Sequence, residues 1–166
     1  MNKVVSFVLF AFLLLSFTSC GGQKMPDGMP PLHPTNITVT QAGQPLEGAV
    51  VNLVNADDPN YRWVIGGRTD ARGICQVRTQ GEFVGAPEGR FKVLIRKQIN
   101  EGGNQPATPD PLGTSSTTEA RTFDLVNLKY SRVDTTDLEI EISRGSNAEE
   151  FDVGEAVRVE FVPFGR

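Results

Sequence analysis

The chain has 166 residues and a formal net charge of −4, with acidic and basic residues interspersed along it. This length suits about one domain once a leader is removed, and the lack of a basic stripe in the sequence argues against a nucleic-acid partner. The many glycines and prolines, with little helical periodicity, favour an all-β fold.

The first twenty residues have the organisation of an export signal. Lys3 supplies a positive start, and the apolar run Val4–Leu15, interrupted only by Ser6, is too short to span a bilayer permanently. We therefore predict a signal peptide over residues 1–20, with a helix in its apolar part.

The segment that follows this run, Ser16–Gly21, resembles a bacterial lipobox, in which small residues precede a cysteine that is alkylated with diacylglycerol. The resemblance implies lipidation of Cys20 and attachment to a membrane of the cell envelope, with the domain in the periplasm or at the cell surface. Phe17 stands where leucine is usual, so simple cleavage by the general signal peptidase stays open as the alternative.

Residues 21–35 are predicted to be a flexible tether. Glycines and four prolines dominate this stretch, with few apolar side chains to bury. Fully extended, such a segment reaches at most roughly 45 Å, enough to hold a domain clear of lipid headgroups. His33, the sole histidine, lies here, and a flexible arm positions no partners for a metal or catalytic role.

Alternating apolar residues then predict strands that are buried on one face, the pattern of an antiparallel sheet. The expected strands are 36–40, 49–54, 74–79 and a run ending at Ile95, with turns at Gly43–Gln44 and 67–73. The inward side chains are Ile37, Val39, Ala49, Val51, Leu53, Cys75, Val77, Phe91, Val93 and Ile95.

A cluster of turn-forming residues follows the second of these strands. Asp57, Asp58 and Asn60 carry oxygens that suit calcium, but a calcium site needs about six to eight of them and the spaced acids of a calcium loop are missing. We interpret the cluster as a solvated loop and predict no metal site and no cofactor.

Tyr61 and Trp63 are the aromatic residues outside an obvious core pattern. An exposed pair of this kind on a β-sheet stacks on sugar rings, whereas Trp63 and Ile65 also share one face of an ordinary strand. Packing in the core is the favoured interpretation, and a ligand platform at Tyr61 and Trp63 is the alternative.

The second cysteine, Cys75, occupies a predicted core position. If Cys20 carries lipid, no disulfide within the chain is possible, and with no histidine beyond the tether a nucleophilic cysteine or a Ser-His-Asp triad lacks its base. We predict a buried, inert thiol. A hydrolase that uses paired carboxylates stays open on composition alone, and its candidates are Asp70, Asp110, Asp134, Asp137, Glu149, Glu150 and Asp152.

Residues 98–121 lose the strand pattern and are rich in Gly, Pro, Ser, Thr and Asn. So long a segment without strand signal is either a mobile loop, which we favour, or a binding loop. Strand signals resume at 122–129, 138–143 and 150–153, with a hairpin turn at 144–147, and a last strand is expected at 156–163 with Val157, Val159 and Phe161 on one face.

Three short motifs in this order resemble the carboxypeptidase regulatory-like domain family, a transthyretin-like β-sandwich. They are Gly-x-Pro-Leu-x-Gly-Ala-x-Val from Gly43, Thr-Asp-x-x-Gly from Thr69 and Pro-x-Gly-x-Phe-x-Val from Pro87. The resemblance covers about residues 36–97, and Leu128–Tyr130 and Leu138–Ile142 are similar to the closing strands of small bacterial lipoproteins of this type. Cys75 departs from the family, which usually has a large core residue there.

The resemblance implies an antiparallel, Greek-key β-sandwich of about seven to nine strands over residues 36–166. We predict a non-enzymatic, lipid-anchored envelope protein that acts as a binding or structural module. Its partners are the membrane, through Cys20, and either another envelope protein or a polysaccharide. A carbohydrate-binding module that uses Tyr61 and Trp63 is the alternative, with a hydrolase third.

Overall fold

The computed structural model describes residues 24–58, 60–102 and 120–161. Strands dominate these residues, whose helical structure is a 3-10 helix at Leu128–Ser131, and this confirms the all-β prediction. The predicted signal helix lies outside them. The strands are β1 (Leu32–His33), β2 (Thr35–Gln41), β3 (Gln44–Pro45), β4 (Val50–Asn55), β5 (Ile65–Arg68), β6 (Ile74–Gln76), β7 (Arg78–Thr79), β8 (Phe83–Val84), β9 (Ala86–Pro87), β10 (Gly89–Arg96), β11 (Gln98–Glu101), β12 (Arg121–Asp124), β13 (Glu139–Ile142), β14 (Asn147–Asp152) and β15 (Val159–Glu160).

The largest sheet has six strands in the order β13-β10-β4-β5-β7-β8, and every neighbouring pair in it is antiparallel. β4 and β10 are neighbouring inner strands of this sheet, where Leu53 pairs with Val93 and Val51 with Ile95. These side chains are buried, as their alternation predicted, because one face of the sheet covers the core.

A second sheet has the order β14-β2-β3, with β6 also paired to β2. Ile37 and Val39 of β2 are fully buried and belong to the same apolar cluster as Val51 and Phe91 of the large sheet. One core therefore takes side chains from both sheets.

The expected hairpin at 144–147 is wrong. β13 pairs with β10 in the large sheet, whereas β14 runs parallel to β2 in the second sheet. The turn closes locally through Asn147, whose side-chain amide donates to the carbonyl of Ser143, while its backbone N–H donates to Pro34. The chain therefore passes from the large sheet to the second sheet at this turn. Because β14 and β2 are parallel, the second sheet is not wholly antiparallel.

The strand predicted at 74–79 is broken in the middle. Its first half, β6, pairs with β2, and its second half, β7, pairs with β5. Val77 lies at the break, fully buried, with its N–H bonded to Thr35 and its carbonyl to Gly85. The chain changes sheets here at a corner.

The tether prediction is wrong for the end of residues 21–35. Leu32–His33 pairs with β9, and β2 begins at Thr35. Met29 packs against the core, and Arg62 donates to the carbonyl of Asp27. Proline-rich chain is already extended, so strand pairing costs it little conformational entropy.

The ends of the segment predicted as a mobile loop are strands. Gln98–Glu101 pairs with Arg121–Asp124, and β15 adds to β12 on the other side; residues 103–119 lie outside the described ranges. The strand expected at 122–129 ends at Asp124. The last strand is only Val159–Glu160, and its expected apolar face is open, since Val159 and Phe161 are each more than 40% exposed (41% and 43%).

Candidate functional site

The two sites predicted from the sequence fall in different places. Cys20 lies outside the described residues, so its lipidation stays a prediction. Tyr61 and Trp63 precede β5, which begins at Ile65 rather than at Trp63.

Trp63 is a core residue. Its surface is only 8% exposed and it belongs to the apolar cluster with Ile65. The guanidinium carbon of Arg62 lies 4.2 Å from the centre of its ring, so a cation covers one face. The prediction that Trp63 packs in the core is confirmed.

Tyr61 is half-buried against the same cluster. Its ring meets Phe91 edge-on, with the ring centres 6.2 Å apart, and burial, with a smaller contribution from the charge of Asp58, raises the pKa of its hydroxyl. A sugar platform needs ring faces in solvent. Trp63 offers almost none, so this arrangement does not favour the carbohydrate alternative at these two residues.

The Thr69–Gly73 turn links the first two sequence motifs. The Thr69 hydroxyl donates to the carbonyl of Leu46 and accepts from the N–H of Ala49, while the Thr69 carbonyl accepts from Gly48. Thr69 is buried, so these bonds satisfy polar groups that would otherwise be costly to bury.

Asp70 holds the same turn in shape. Its carboxylate accepts 2.9 Å hydrogen bonds from the backbone N–H groups of Arg72 and Ile74. The bond from Ile74, aided by those from Arg72, lowers the pKa of Asp70. Asp70 is therefore the turn residue that the sequence predicted.

Three of the remaining candidate carboxylates, Asp134, Asp137 and Asp152, bind partners of their own. Arg132 lowers the pKa of Asp134. The pKa of Asp137 is lowered first by its own backbone N–H and then by Lys129. The N–H groups of Gly43 and Gly154 lower the pKa of Asp152. A glycosidase general acid needs a raised pKa. Glu149 and Glu150 are exposed on β14, and Asp110 lies outside the described residues.

Cys75 is fully buried, which confirms its predicted core position. Burial raises the pKa of its thiol to about 11, so the nucleophilic thiolate is scarce at neutral pH. A Cβ placed on Gly67 would lie 2.8 Å from Sγ of Cys75. Cys75 thus packs over bare backbone at Gly67.

His33 is not on a flexible arm. Its Nδ1 accepts a hydrogen bond from the N–H of Gly145, and its Nε2 lies 3.1 Å from Oε1 of Glu88 without the alignment of a hydrogen bond. Arg144 also binds Glu88. The cluster ties β1 to the turn before β14.

A groove of about 580 Å³ lies at the corner where β6 passes into β7, and the sequence reasoning missed it. Its charged lining consists of Arg68, Arg72, Arg78 and Asp70. In the sequence, each of these arginines taken alone is typical of a charged side chain exposed to solvent. The available signal was that Arg68 follows a Gly-Gly pair and Arg72 lies in a tight turn, where backbone is left uncovered.

Within the described ranges, no group of three or more His, Cys, Asp or Glu side chains is placed to hold a metal ion. The same residues contain no helix that is both long enough and apolar enough to cross a membrane. No family model, curated protein or solved structure matches the chain.

Proposed function

We propose that this chain is a non-enzymatic envelope protein, anchored by a lipid on Cys20, that presents a transthyretin-like β-sandwich as a binding or structural module. The sandwich is Greek-key, with about seven to nine main strands, and it begins at Leu32–His33. Under this proposal the chain is of the carboxypeptidase regulatory-like type.

The observation that carries the proposal is that the three family-like motifs form one structural unit. The first two are joined through Thr69, as described above. The third contributes Phe91 and Val93 to β10, which pairs with β4, the strand in which the first motif ends. A family that shares a fold is expected to retain the residues that contact one another to build it. The contacts between these motifs therefore support the resemblance over a chance match of short motifs.

The core supports the sandwich. Buried residues of β2, β4 and β10 form one apolar cluster, although these strands belong to two different sheets. Two sheets that share one core in this way are the arrangement of a β-sandwich.

The position of the first described residues fits an anchor. Lys24 and Met25 are exposed, and the chain first packs against the core at Met29. If Cys20 carries lipid, the eight residues between it and Met29 reach at most roughly 30 Å. The domain would then be held nearer the membrane than a tether ending at residue 35 allows.

Anchoring is tested by detergent partitioning. The wild-type protein should enter the detergent phase of a Triton X-114 separation, and Cys20→Ala should move it to the aqueous phase or stall its processing. Cys75→Ala is the matched control, because it removes the other cysteine and should leave partitioning unchanged. Wild-type protein found in the aqueous phase with an unmodified Cys20 would show that the anchor is wrong.

A further inference from the structure

We propose that the arginine-lined groove at the β6–β7 corner binds a small acidic sugar, one that carries a carboxylate or phosphate together with hydroxyl groups. This deepens the binding role proposed above and rests on it only for the premise that the exported domain binds a ligand.

The groove exists because the chain changes sheets at Val77. Gln76 and Ile74 face it from β6, Arg68 and Arg78 from β5 and β7, and the turn at Asp70 closes one end. Gly66 of β5 pairs directly with Arg78, so no side chain stands beside that arginine on the β5 side, whereas Val84 of β8 pairs with it on the other side. At Gly67 a Cβ would collide with Cys75 and Gln76, which keeps the floor bare.

The arginines are held in place by the fold. Arg68 donates to the carbonyl of Gly48, and Arg78 donates to the carbonyl of Glu82 and to the side chain of Gln76. Arg72 binds the carboxylate of Asp70, which the turn backbone fixes. Side chains that are already ordered lose less entropy when a ligand binds.

The charge of the groove favours an anion. Three guanidinium groups line it with one carboxylate, on a protein whose net charge is −4. The hydrogen bonds of Arg68 and Arg78 described above are to carbonyl and amide oxygens, which carry no formal charge. A guanidinium also has more N–H donors than these bonds use, in a planar fork that matches carboxylate and phosphate oxygens.

The hydrogen-bonding groups of the lining other than the arginines favour hydroxyl groups on the same ligand. The amides of Asn36 and Gln76 both donate and accept hydrogen bonds, and Asp70 accepts them. A volume of about 580 Å³ lies within the range of small-molecule sites. A ligand that carries hydroxyl groups around an oxyanion and fits a space of this size is an acidic monosaccharide or disaccharide.

The test is a calorimetric titration of the full chain, purified in mild detergent at low ionic strength. The probes are glucuronate, glucose 6-phosphate, glucose and inorganic phosphate. We expect saturable binding of at least one of the two acidic sugars, and the stronger of them identifies the oxyanion as carboxylate or phosphate. Binding should weaken as salt is added, because Arg68 and Arg72 are exposed. Glucose should bind at least about tenfold more weakly, because it lacks the charged group.

Two groove variants and one control make the test specific. Arg68→Gln and Arg72→Gln change exposed side chains, so both should fold, and each should weaken binding about tenfold. Arg132→Gln removes the same charge from an arginine that is paired with Asp134 and does not line the groove, and it should bind like the wild type.

The proposal would be overturned by no saturable binding of either acidic sugar, by equal binding of glucose, or by equal weakening of binding in Arg132→Gln and Arg68→Gln. Inorganic phosphate that binds as tightly as the sugars would also overturn it, since the groove would then be a simple anion site. Failure here with normal detergent partitioning refutes the groove alone, whereas failed partitioning refutes the anchor and leaves the titration result standing.

Discussion

Replacing Trp63 with alanine tests how the core is built, because Trp63 is the residue for which packing and ligand binding make opposite predictions. The ring is 8% exposed and lies in the cluster that joins both sheets. Truncation therefore removes contacts inside the core, where the surrounding strands cannot move to fill the space fully.

The loss can be worked from the buried area. An aromatic side chain buries about 150–250 Å², and about 25 cal/mol per Å² gives an upper bound of roughly 4–6 kcal/mol. Measured truncations of buried aromatics cost about 3–5 kcal/mol, and losing the Arg62 contact at 4.2 Å adds about 0.5–1 kcal/mol. We expect Trp63→Ala to lower the free energy of unfolding by about 4 kcal/mol, a large part of the roughly 5–15 kcal/mol that a domain possesses.

The measurement is urea unfolding followed by far-UV circular dichroism, because the variant has lost the sole tryptophan. With a slope of about 1–3 kcal/mol per molar urea, the midpoint should fall by roughly 1.3–4 M. In the wild type, tryptophan emission should be blue-shifted and poorly quenched by acrylamide.

Val64→Ala is the matched control, since Val64 is the next residue and is 67% exposed. It should change the free energy of unfolding by no more than about 0.5 kcal/mol. If Trp63→Ala costs no more than Val64→Ala, the core reasoning is refuted. A stable Trp63→Ala protein that has lost retention on a polysaccharide would restore the sugar platform.

Three further predictions concern the small-residue contact and the titrating groups. Gly67→Ala should destabilise the protein in urea unfolding by about 1–3 kcal/mol, because the new Cβ would lie 2.8 Å from the Cys75 sulfur. Adding Cys75→Ala should recover part of that loss. If the free-energy changes of the two substitutions simply add, the contact is contradicted. Native Cys75 should react with a thiol reagent far more slowly than the unfolded chain at pH 7, because burial raises its pKa to about 11, and equal rates would place it at the surface. Hydrogen bonds hold the pKa of Asp152 below its unfolded value of about 3.9. The stabilising effect of Asp152 is therefore present above that pH and is lost as the pH falls through the folded pKa. Asp152→Asn should make the free energy of unfolding less pH-dependent between about pH 5 and 2, and an unchanged acid profile would refute the role.

The sequence by itself determined the strands that are buried on one face. Ile37 and Val39 in β2, and Val93 and Ile95 in β10, have the period of two that an extended chain imposes, and all four are fully buried. The Asp70 turn was equally predictable, because a carboxylate that binds N–H groups two and four residues later needs no distant partner.

Only the tertiary structure decided which strands pair. The turn residues at 144–147 serve a hairpin and a passage between sheets equally well, so the parallel pairing of β14 with β2 had no local signal. The break at Val77 is similar, since its N–H and carbonyl bond Thr35 and Gly85, and both bonds depend on where the two sheets lie.

The groove depended on the same corner. Arg68 and Arg78 face it from β5 and β7, and Arg72 from the turn between β5 and β6, so one site gathers residues from separate elements. Side-chain alternation and turn chemistry act over a few residues, and they identify these arginines only as exposed charges. Their convergence is a property of sheet pairing, which brings distant residues together and is set by the fold as a whole.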